Sequence, residues 1–120
     1  MTLYGRQEPG EPYRRISVEE AAEIQKQGAL IVDVRRPDEW ENGHAKDAIH
    51  IPVDNILEEA EGKLPRDRDL LFICAAGVRS GLAAEMAAAM GYDDDKLYNI
   101  EAGTQAWIDQ GKPTSYGNDN

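Results

Sequence analysis

The sequence predicts an α/β fold in which helices cover both faces of an open, mostly parallel central sheet. Two observations lead to this prediction. Short apolar runs of strand length alternate with stretches of helical character, as in a chain built from parallel strands and crossover helices. Two of these runs are continuous rather than alternating, which is typical of strands buried on both faces. A chain of 120 residues is long enough for one such sheet and its core.

The first two elements have clear boundaries. Ser17 and Glu20 have the spacing of a capping box, which predicts a helix over residues 18–27 that ends at Gly28. Residues 29–33 follow directly and are predicted to form a buried strand. A helix that leads into a buried strand begins an α/β pattern.

The next elements are shorter. They are a helix over 37–40, a strand over 48–51 and a helix over 55–61. Pro52 stops the strand, because proline cannot donate to a strand ladder. Asp54 is expected to cap the second of these helices, and Gly62 with Pro65 to end it.

The second half of the chain continues the alternation. It contains a strand over 70–74, an alanine-rich helix over 80–90, a strand over 97–100 and a helix over 104–110. We expect residues 13–113 to form one domain. Residues 1–12 are expected to be a flexible N-terminal tail, and residues 114–120 a disordered C-terminal tail.

Composition argues against several classes of function. The formal net charge of −10 repels a phosphate backbone, so no nucleic-acid partner is expected. No apolar run approaches the roughly 20 residues of a membrane-spanning helix, and residues 1–12 lack the apolar core of a secretory signal. We therefore expect a cytoplasmic protein with no membrane partner. Any anionic ligand must be bound locally, by backbone amides or by a well-placed arginine.

Cysteine and histidine are scarce. Cys74 is the only cysteine, which excludes internal disulfides, CxxC redox pairs and cysteine-rich zinc sites. His44 and His50 are the only imidazoles, and they do not have the HExxH type of spacing. The sequence therefore predicts no metal site.

The single thiol lies where α/β folds bind their ligands. Cys74 ends a predicted strand, and ligands bind beyond the carboxyl ends of such strands. The residues that follow it lead through a glycine into a helix: Ala75, Ala76, Gly77, Val78, Arg79 and Ser80. Their amides, the helix dipole and Arg79 favour a nucleophilic thiolate at Cys74. The alternative is that Cys74 is a small buried hydrophobic residue.

Arg79 stands near the start of the predicted helix. A cation there is disfavoured by about 0.3–1 kcal/mol, so its position indicates an anionic ligand. The alternative is an ordinary surface arginine.

Several stretches of this chain resemble, in order, the motifs of rhodanese domains. The most specific is Cys74-Ala-Ala-Gly-Val-Arg-Ser80, which resembles their active-site loop. The others are Ile31-Val-Asp-Val-Arg35, Glu39, Gly43-His44 with Ala48-Ile-His-Ile-Pro52, and Glu101-Ala-Gly103 with Ala106-Trp107 and Gly111. Together they cover most of residues 17–113. Because they also occur in the order of the family's motifs, the chain is identified as a member of this family.

The resemblance implies a rhodanese-like sheet and a sulfurtransferase with Cys74 as its catalytic residue. Cys74 would take the sulfane sulfur of a small donor such as thiosulfate as a persulfide, and would pass it to cyanide or a thiol. A protein thiol or a sulfur-carrier protein is a further candidate acceptor. The resemblance implies no metal and no organic cofactor, and it makes residues 75–80 the loop that binds the donor.

The sequence departs from the family pattern at a few positions. Asp47 and Ala102 stand where the family often has glycine, and changes in the local turns are expected there. Ala75 and Ala76 stand where many members carry basic or polar side chains. Thiosulfate would therefore be held mainly by loop amides and Arg79.

Asp33, Arg35 and His44 complete the candidate site. In the family, residues at the positions of Asp33 and Arg35 line or brace the pocket, and bracing is the expected role here, with direct catalysis as the alternative. From the residues alone, Asp33 is placed to cap the next turn, and Arg35 to pair with Glu39 or Asp38. His44 is expected to serve as a hydrogen-bonding scaffold rather than a general base, because a thiolate held by amides needs no base.

Two other functions compete with sulfur transfer. Some cysteine-dependent phosphatases and arsenate reductases share the fold, but their loop has five residues between cysteine and arginine, whereas four separate Cys74 from Arg79. The smaller ring suits a single sulfur better than a phosphate. The second alternative is a non-catalytic or sulfur-relay module that binds a partner protein. Non-catalytic modules typically lack the cysteine, and a relay would use the same persulfide.

Overall fold

The computed structural model describes residues 4–118. The strands are β1 (Arg14–Ile16), β2 (Leu30–Asp33), β3 (His44–Ala45), β4 (Ile49–His50), β5 (Leu70–Ile73), β6 (Leu97–Ile100) and β7 (Thr114–Ser115). The helices are α1 (Val18–Lys26), α2 (Pro37–Glu41), α3 (Ile56–Lys63), α4 (Val78–Ala89) and α5 (Gly103–Asp109), with 3₁₀ turns at Val53–Asn55 and Asp94–Lys96. Within these residues, no helix has both the length and the hydropathy that crossing a bilayer requires.

The central sheet confirms the predicted α/β architecture. Its five strands lie in the order β1-β6-β5-β2-β4, and all of their pairings are parallel. β5 is the central strand, with β2 on one side and β6 on the other. The carboxyl ends of these three strands therefore meet at one edge, and Cys74 lies directly after the middle one.

Strand side chains alternate between two apolar cores, as the pleat of a β-strand requires. The core under α3 and α4 contains Leu30, Val32, Leu70, Phe72 and Leu97. The core on the opposite face, with α1 and α5, contains Ile31, Leu71, Ile73 and Ile100. Cys74 continues the first series at a spacing of two residues and belongs to the first core. Its sulfur is therefore directed towards α4.

The helix boundaries agree with the sequence at α1 and differ at α3. The capping box is present, because the Glu20 amide donates to Ser17 Oγ at 3.1 Å and the Ser17 amide donates to Glu20 Oε1 at 3.0 Å. Asp54 lies inside a 3₁₀ turn and does not cap α3. The prediction that Gly62 ends α3 is also wrong, because the helix continues to Lys63. Buried Leu64, whose amide donates to the Ala60 carbonyl at 2.7 Å, keeps that last turn closed over the core.

β1, β3 and β7 were not predicted from the sequence. Each is two or three residues long, and β1 forms an edge of the main sheet while β3 and β7 pair with each other. None of them contains an apolar run. Strands of this kind depend on backbone partners that are distant in the sequence.

The segments expected to be tails make hydrogen bonds to the domain where the structure describes them. The Gly5 amide donates to Glu20 Oε2 at 2.6 Å, and the backbone of Arg6 forms an isolated antiparallel β-bridge with that of Arg15. At the other end, Thr114–Ser115 is β7, and the Gly117 amide donates to the Glu41 carbonyl at 2.9 Å. These contacts extend the domain beyond residues 13–113 on both sides. Residues 1–3 and 119–120 lie outside the described residues.

Candidate active site

The loop that carries Cys74 is fixed by the start of α5. The Cys74 carbonyl accepts hydrogen bonds from the Thr104 amide at 2.9 Å and from Thr104 Oγ1 at 3.2 Å. Gly103 makes this approach possible, because a Cβ at that position would lie 2.0 Å from the Ala75 carbonyl oxygen. The backbone of Gly103 also has a φ of +85°, which favours glycine.

Gly77 turns the loop into α4. Its φ of +93° is left-handed, and a Cβ there would lie 2.7 Å from the carbonyl oxygen of Glu101. This turn brings the Gly77 amide to 3.1 Å from Cys74 Sγ, where it donates a hydrogen bond. Gly77, which the sequence predicted to turn the loop, therefore allows both the close packing against Glu101 and the hydrogen bond to Cys74 Sγ.

The sulfur of Cys74 is enclosed and surrounded by hydrogen-bonding groups. Cys74 is 1% exposed, and Ser80 Oγ lies 3.2 Å from its Sγ. Burial alone would raise the pKa of the Cys74 thiol. Hydrogen bonds that the thiolate accepts from the amides of Ser80, Ala76 and Gly77, and from the Ser80 hydroxyl when that hydroxyl turns to Sγ, outweigh burial and hold that pKa below its ordinary value. The loop therefore favours a thiolate, as the sequence analysis predicted, and does so mainly through Ser80 and backbone amides.

Behind Ser80 lies a polar side chain that the sequence analysis did not single out. Ser80 Oγ donates to Asn99 Oδ1 at 2.6 Å, and Asn99 Nδ2 donates to the Gly77 carbonyl at 3.0 Å. Ser80 is fully buried and Asn99 nearly so. The available signal was the position of Asn99 in an otherwise apolar strand, two residues after Leu97 and therefore on the face that α4 covers.

Arg79 is half-buried and forms a two-point ion pair with Glu39. Its Nη1 donates to Glu39 Oε1 at 2.7 Å and its Nη2 donates to Oε2 at 3.0 Å. The hydrogen bond from Arg79 is the main cause that lowers the pKa of Glu39 to about 2, with burial opposing it and Arg36 assisting. The same bond raises the pKa of Arg79 above its ordinary value. The anionic partner of Arg79 in this structure is thus the Glu39 carboxylate, a group of the chain itself.

Asp33 and Arg35 form a separate and more deeply buried pair. Arg35 Nη2 lies 2.8 Å from Asp33 Oδ2 and 2.8 Å from the Gly43 carbonyl oxygen, and the Arg35 amide donates to Asp33 Oδ1 at 3.0 Å. Asp33 therefore caps its own turn, as expected. Arg35 does not pair with Glu39, because the latter reaches across to α4 instead. These contacts fix the turn after β2 beside the end of β5.

His44 is fully buried in a stack of rings. Its ring lies 3.4 Å from that of Trp40, centroid to centroid, and Nδ1 lies 2.7 Å from the Trp40 carbonyl oxygen. His50 stacks on the same indole at 4.9 Å. This packing fits a scaffold role for His44, which stays a prediction.

The two residues that stand where the family often has glycine differ in backbone conformation. Asp47 adopts the left-handed conformation, with a φ of +67°, which aspartate tolerates better than most residues. Ala102 has a φ of −75°, an ordinary right-handed value. The conformation at Asp47 is therefore one that favours glycine and that at Ala102 is not, and a change in these turns stays a prediction.

Two cavities border the active-site loop on different sides. The larger, about 600 Å³, is lined by Gly77, Asn99, Tyr13, Leu82, Glu85 and Glu101 among others. The smaller, about 340 Å³, is lined by Val34, Arg36, Pro52, Val53, Asp54 and Arg79. The wall of the smaller cavity carries the guanidinium groups of Arg36 and Arg79 and one carboxylate, that of Asp54. The wall of the larger cavity carries one guanidinium group, that of Arg15, and the carboxylates of Glu85 and Glu101.

Comparison with known proteins agrees with this geometry. The family model described as the rhodanese-like domain matches residues 17–110. The thiosulfate sulfurtransferase GlpE of Pseudomonas syringae is 31% identical over 98 residues, a match that covers 79% of this chain and 87% of that protein. The crystal structure of a rhodanese-related protein from Thermoplasma volcanium has a TM-score of 0.76 and 33% identity, covering 86% of this chain and 98% of that chain. A protein from Rhodopseudomonas palustris, described as a possible tyrosine phosphatase, has a TM-score of 0.75 and 29% identity, with coverage of 86% and 85%.

Proposed function

This chain belongs to the rhodanese-like domain family, and on that basis we propose that it is a sulfurtransferase that carries a sulfane sulfur on Cys74 as a persulfide. The observation that carries the proposal is the set of hydrogen bonds around Sγ. The Gly77 amide donates at 3.1 Å, Ser80 Oγ lies at 3.2 Å, and the pKa of the thiol is lowered. A stabilised thiolate at the end of the central strand is a nucleophile in position to react.

In the first half-reaction the Cys74 thiolate attacks the outer sulfur of a donor. With thiosulfate, a bond forms between Sγ and that sulfur while the sulfur–sulfur bond of thiosulfate breaks. Sulfite leaves with the electron pair of the broken bond. The negative charge of Sγ moves to the terminal sulfur of the persulfide, for which loop amides and the start of α4 are the proposed binding groups.

In the second half-reaction a nucleophile removes the terminal sulfur. Cyanide attacks it, forms thiocyanate and returns the bonding pair to Sγ, which becomes a thiolate again. A thiolate acceptor takes the sulfur in the same way and becomes a persulfide. Both steps are displacements at sulfur, so electrons balance without a redox partner, and neither step needs a general base. Cys74 is the only cysteine of the chain, so the acceptor thiol must be external.

Thiosulfate is the proposed small donor, with Arg79 and the loop amides as its binding groups. Ala75 and Ala76 offer no side-chain donors, and Arg79 is occupied by Glu39 in this structure. An anionic donor must therefore compete with the Glu39 carboxylate for the guanidinium. We expect thiosulfate to be used with a high KM.

The pairing of Arg79 with Glu39 also favours a second candidate, a sulfur relay that receives its sulfur from a protein persulfide. A protein donor can be bound by surface contacts outside the loop and needs no free cation. Val78, at the start of α4, is 80% exposed and offers an apolar contact beside the loop. Both candidates use the same Cys74 persulfide and differ in what delivers the sulfur.

Intact mass spectrometry tests the shared step. The reduced protein is incubated with thiosulfate, and in parallel with mercaptopyruvate or with a persulfidated protein thiol, and is then treated with cyanide. We expect a mass gain of one sulfur that cyanide removes and that the Cys74→Ser variant does not show. If no donor adds sulfur to the folded protein, sulfur transfer is excluded and a binding module remains.

A phosphatase activity is the competing function, because the similar protein from Rhodopseudomonas palustris is described as a possible tyrosine phosphatase. Four residues lie between Cys74 and Arg79, and Arg79 is bound to a carboxylate, so a tetrahedral phosphate dianion finds a smaller ring and an occupied cation. We expect no turnover of p-nitrophenyl phosphate above that of Cys74→Ser. Turnover that depends on Cys74 would favour the phosphatase instead.

A further inference from the structure

Cys74, Ser80 and Asn99 form a buried chain of hydrogen bonds with a limited number of protons. Cys74 Sγ lies 3.2 Å from Ser80 Oγ, which lies 2.6 Å from Asn99 Oδ1. All three residues are at most 3% exposed. Ser80 has a single hydroxyl proton, so it can donate to only one neighbour at a time.

The orientation of the Asn99 amide decides which of its atoms faces Ser80. Asn99 Nδ2 lies 3.0 Å from the Gly77 carbonyl oxygen, and only the NH₂ group can donate to a carbonyl. The reversed amide would place two oxygens against each other at that contact. Oδ1 therefore faces Ser80 and accepts its proton.

The thiol and thiolate forms of Cys74 use the Ser80 proton differently. In the thiol form, Cys74 donates its own proton to Ser80 Oγ, Ser80 donates to Asn99 Oδ1, and every group is satisfied. When Cys74 releases its proton to solvent, Ser80 must rotate its hydroxyl towards Sγ in order to stabilise the charge. Asn99 Oδ1 then loses its donor in a buried position, which carries a free-energy cost.

We propose that Asn99 is a positioning residue that competes with Cys74 for the Ser80 proton and thereby favours the states in which Sγ carries no charge. The thiol is one such state. The second, which rests on the proposed function, is the persulfide, because its charge lies on the terminal sulfur and the Ser80 proton returns to Asn99. Asn99 thus destabilises the free thiolate of Cys74 relative to the Cys74 persulfide.

The variants below leave in place the ion pairs on the elements around Cys74, and also Glu85 of α4, which lines the cavity beside Asn99. The pairs are Arg79 with Glu39 on α4 and α2, Arg35 with Asp33 after β2, and Arg6 with Glu101 after β6. Of these, Arg79 is itself sensitive to the charge of Cys74. Its contribution is common to all variants and cancels when they are compared.

The test is the pH dependence of alkylation of reduced Cys74 by iodoacetamide, together with thiolate absorbance in the ultraviolet. Asn99→Leu removes the competing acceptor at similar volume, while the Gly77 carbonyl keeps the Gly81 amide at 3.2 Å as a donor. We expect the pKa of Cys74 to fall, with alkylation about three- to tenfold faster on the acid side of the wild-type titration. Ser80→Ala should raise that pKa.

The double variant distinguishes competition for a proton from a loosened loop. When Ser80 is already alanine, Asn99→Leu should no longer change the pKa, because there is no proton to compete for. Thr104→Val is the matched control: it removes another buried hydroxyl, which bonds the Cys74 carbonyl, while the Thr104 amide still holds that carbonyl at 2.9 Å, so the titration should stay unchanged. An equal fall in pKa with and without Ser80, or an unchanged pKa in Asn99→Leu, would overturn the proposal.

A measurement on the wild-type protein covers the case in which Asn99→Leu does not fold. The NMR signal of the Asn99 side-chain carbonyl carbon should shift as Cys74 titrates, because its hydrogen bond from Ser80 is lost. A constant signal through the titration would also overturn the proposal. Both tests use the free thiol, so they can fail while sulfur transfer stands, and they can succeed in a protein that transfers no sulfur.

Discussion

Two arginine–carboxylate pairs lie near the same edge of the sheet, and they differ in burial. Arg35 and Asp33 meet at 2.8 Å with side chains 8% and 0% exposed. Arg79 and Glu39 meet at 2.7 Å with side chains 29% and 20% exposed. Both contacts join a guanidinium group to a carboxylate. They differ in how much water reaches them.

The difference determines what each arginine is able to do. Separating the buried pair would leave a charge in a dry environment, so Arg35 cannot leave Asp33 and serves to fix the turn after β2. A pair that water reaches is worth only about 0–1 kcal/mol, because solvent stabilises both charges when they separate. We therefore expect Arg79, and not Arg35, to exchange its carboxylate for an anionic ligand.

Arg35→Ala should give the largest effect, because it leaves Asp33 charged, buried and unpaired. We expect a loss of about 3–5 kcal/mol in the free energy of unfolding, measured by urea denaturation. Arg68→Ala is the control, since Arg68 is exposed and donates to a backbone carbonyl, that of Gly28, and it should cost less than about 0.5 kcal/mol. A loss below about 1 kcal/mol in Arg35→Ala would contradict the scaffold role.

Arg79→Ala should leave the fold intact and weaken the use of an anionic donor. We expect kcat/KM for thiosulfate to fall about 10- to 100-fold, as for the loss of a hydrogen bond to a charged group, while the free energy of unfolding changes by less than about 1 kcal/mol. Steady-state assays with cyanide as acceptor measure the first quantity. If stability falls while kcat/KM is retained, Arg79 belongs with Arg35 as a structural residue.

Glu39→Gln should have a smaller and opposite effect on the donor. The amide cannot hold the guanidinium as firmly, so Arg79 is released and KM for thiosulfate should fall about twofold to fivefold. Asp38→Asn is the matched control, because Asp38 is exposed and pairs with Arg36 on the same helix start. A higher KM in Glu39→Gln would mean that Glu39 orients Arg79 for binding rather than competing with the donor.

The smallest expected effect is on stability in acid. The pKa of Glu39 is lowered from 4.5 to about 2, so its contribution is fully present above pH 4.5 and is lost as the pH falls through about 2. Allowing for solvent around the pair, we expect wild type to exceed Glu39→Gln by about 1 kcal/mol near neutral pH. Urea denaturation at a series of pH values should show this difference shrinking only below pH 4.5. A difference that vanishes at higher pH would contradict the assigned pairing.

Much of the fold was predictable because its signals are local. The capping box at Ser17 and the continuous apolar strand over Leu70–Ile73 each depend on neighbours within a few residues. β1, β3 and β7 were not predictable, because they are two or three residues long and, unlike β4, do not lie in a run of apolar residues. Their existence depends on the distant backbone that pairs with them.

The candidate site divides in the same way. Cys74, Gly77 and Ser80 stand within seven residues of one another, and a turn from strand to helix brings them together. Glu39 and Asn99 lie 40 and 19 positions from the residues they contact, Arg79 and Ser80. The sequence marked Glu39 as a motif residue and as a partner for its near neighbour Arg35, but not for Arg79, and it marked Asn99 only as a strand residue.

The sequence by itself determined the alternation of strands and helices, the position of the thiol at the end of a strand and the glycine that turns the loop towards it. These depend on local backbone preference and on the period of apolar residues. Only the tertiary structure decided which carboxylate each arginine pairs with and where the Ser80 proton goes. Those outcomes depend on which strands and helices become neighbours and on how much water reaches each contact, and neither is encoded in the spacing of residues along the chain.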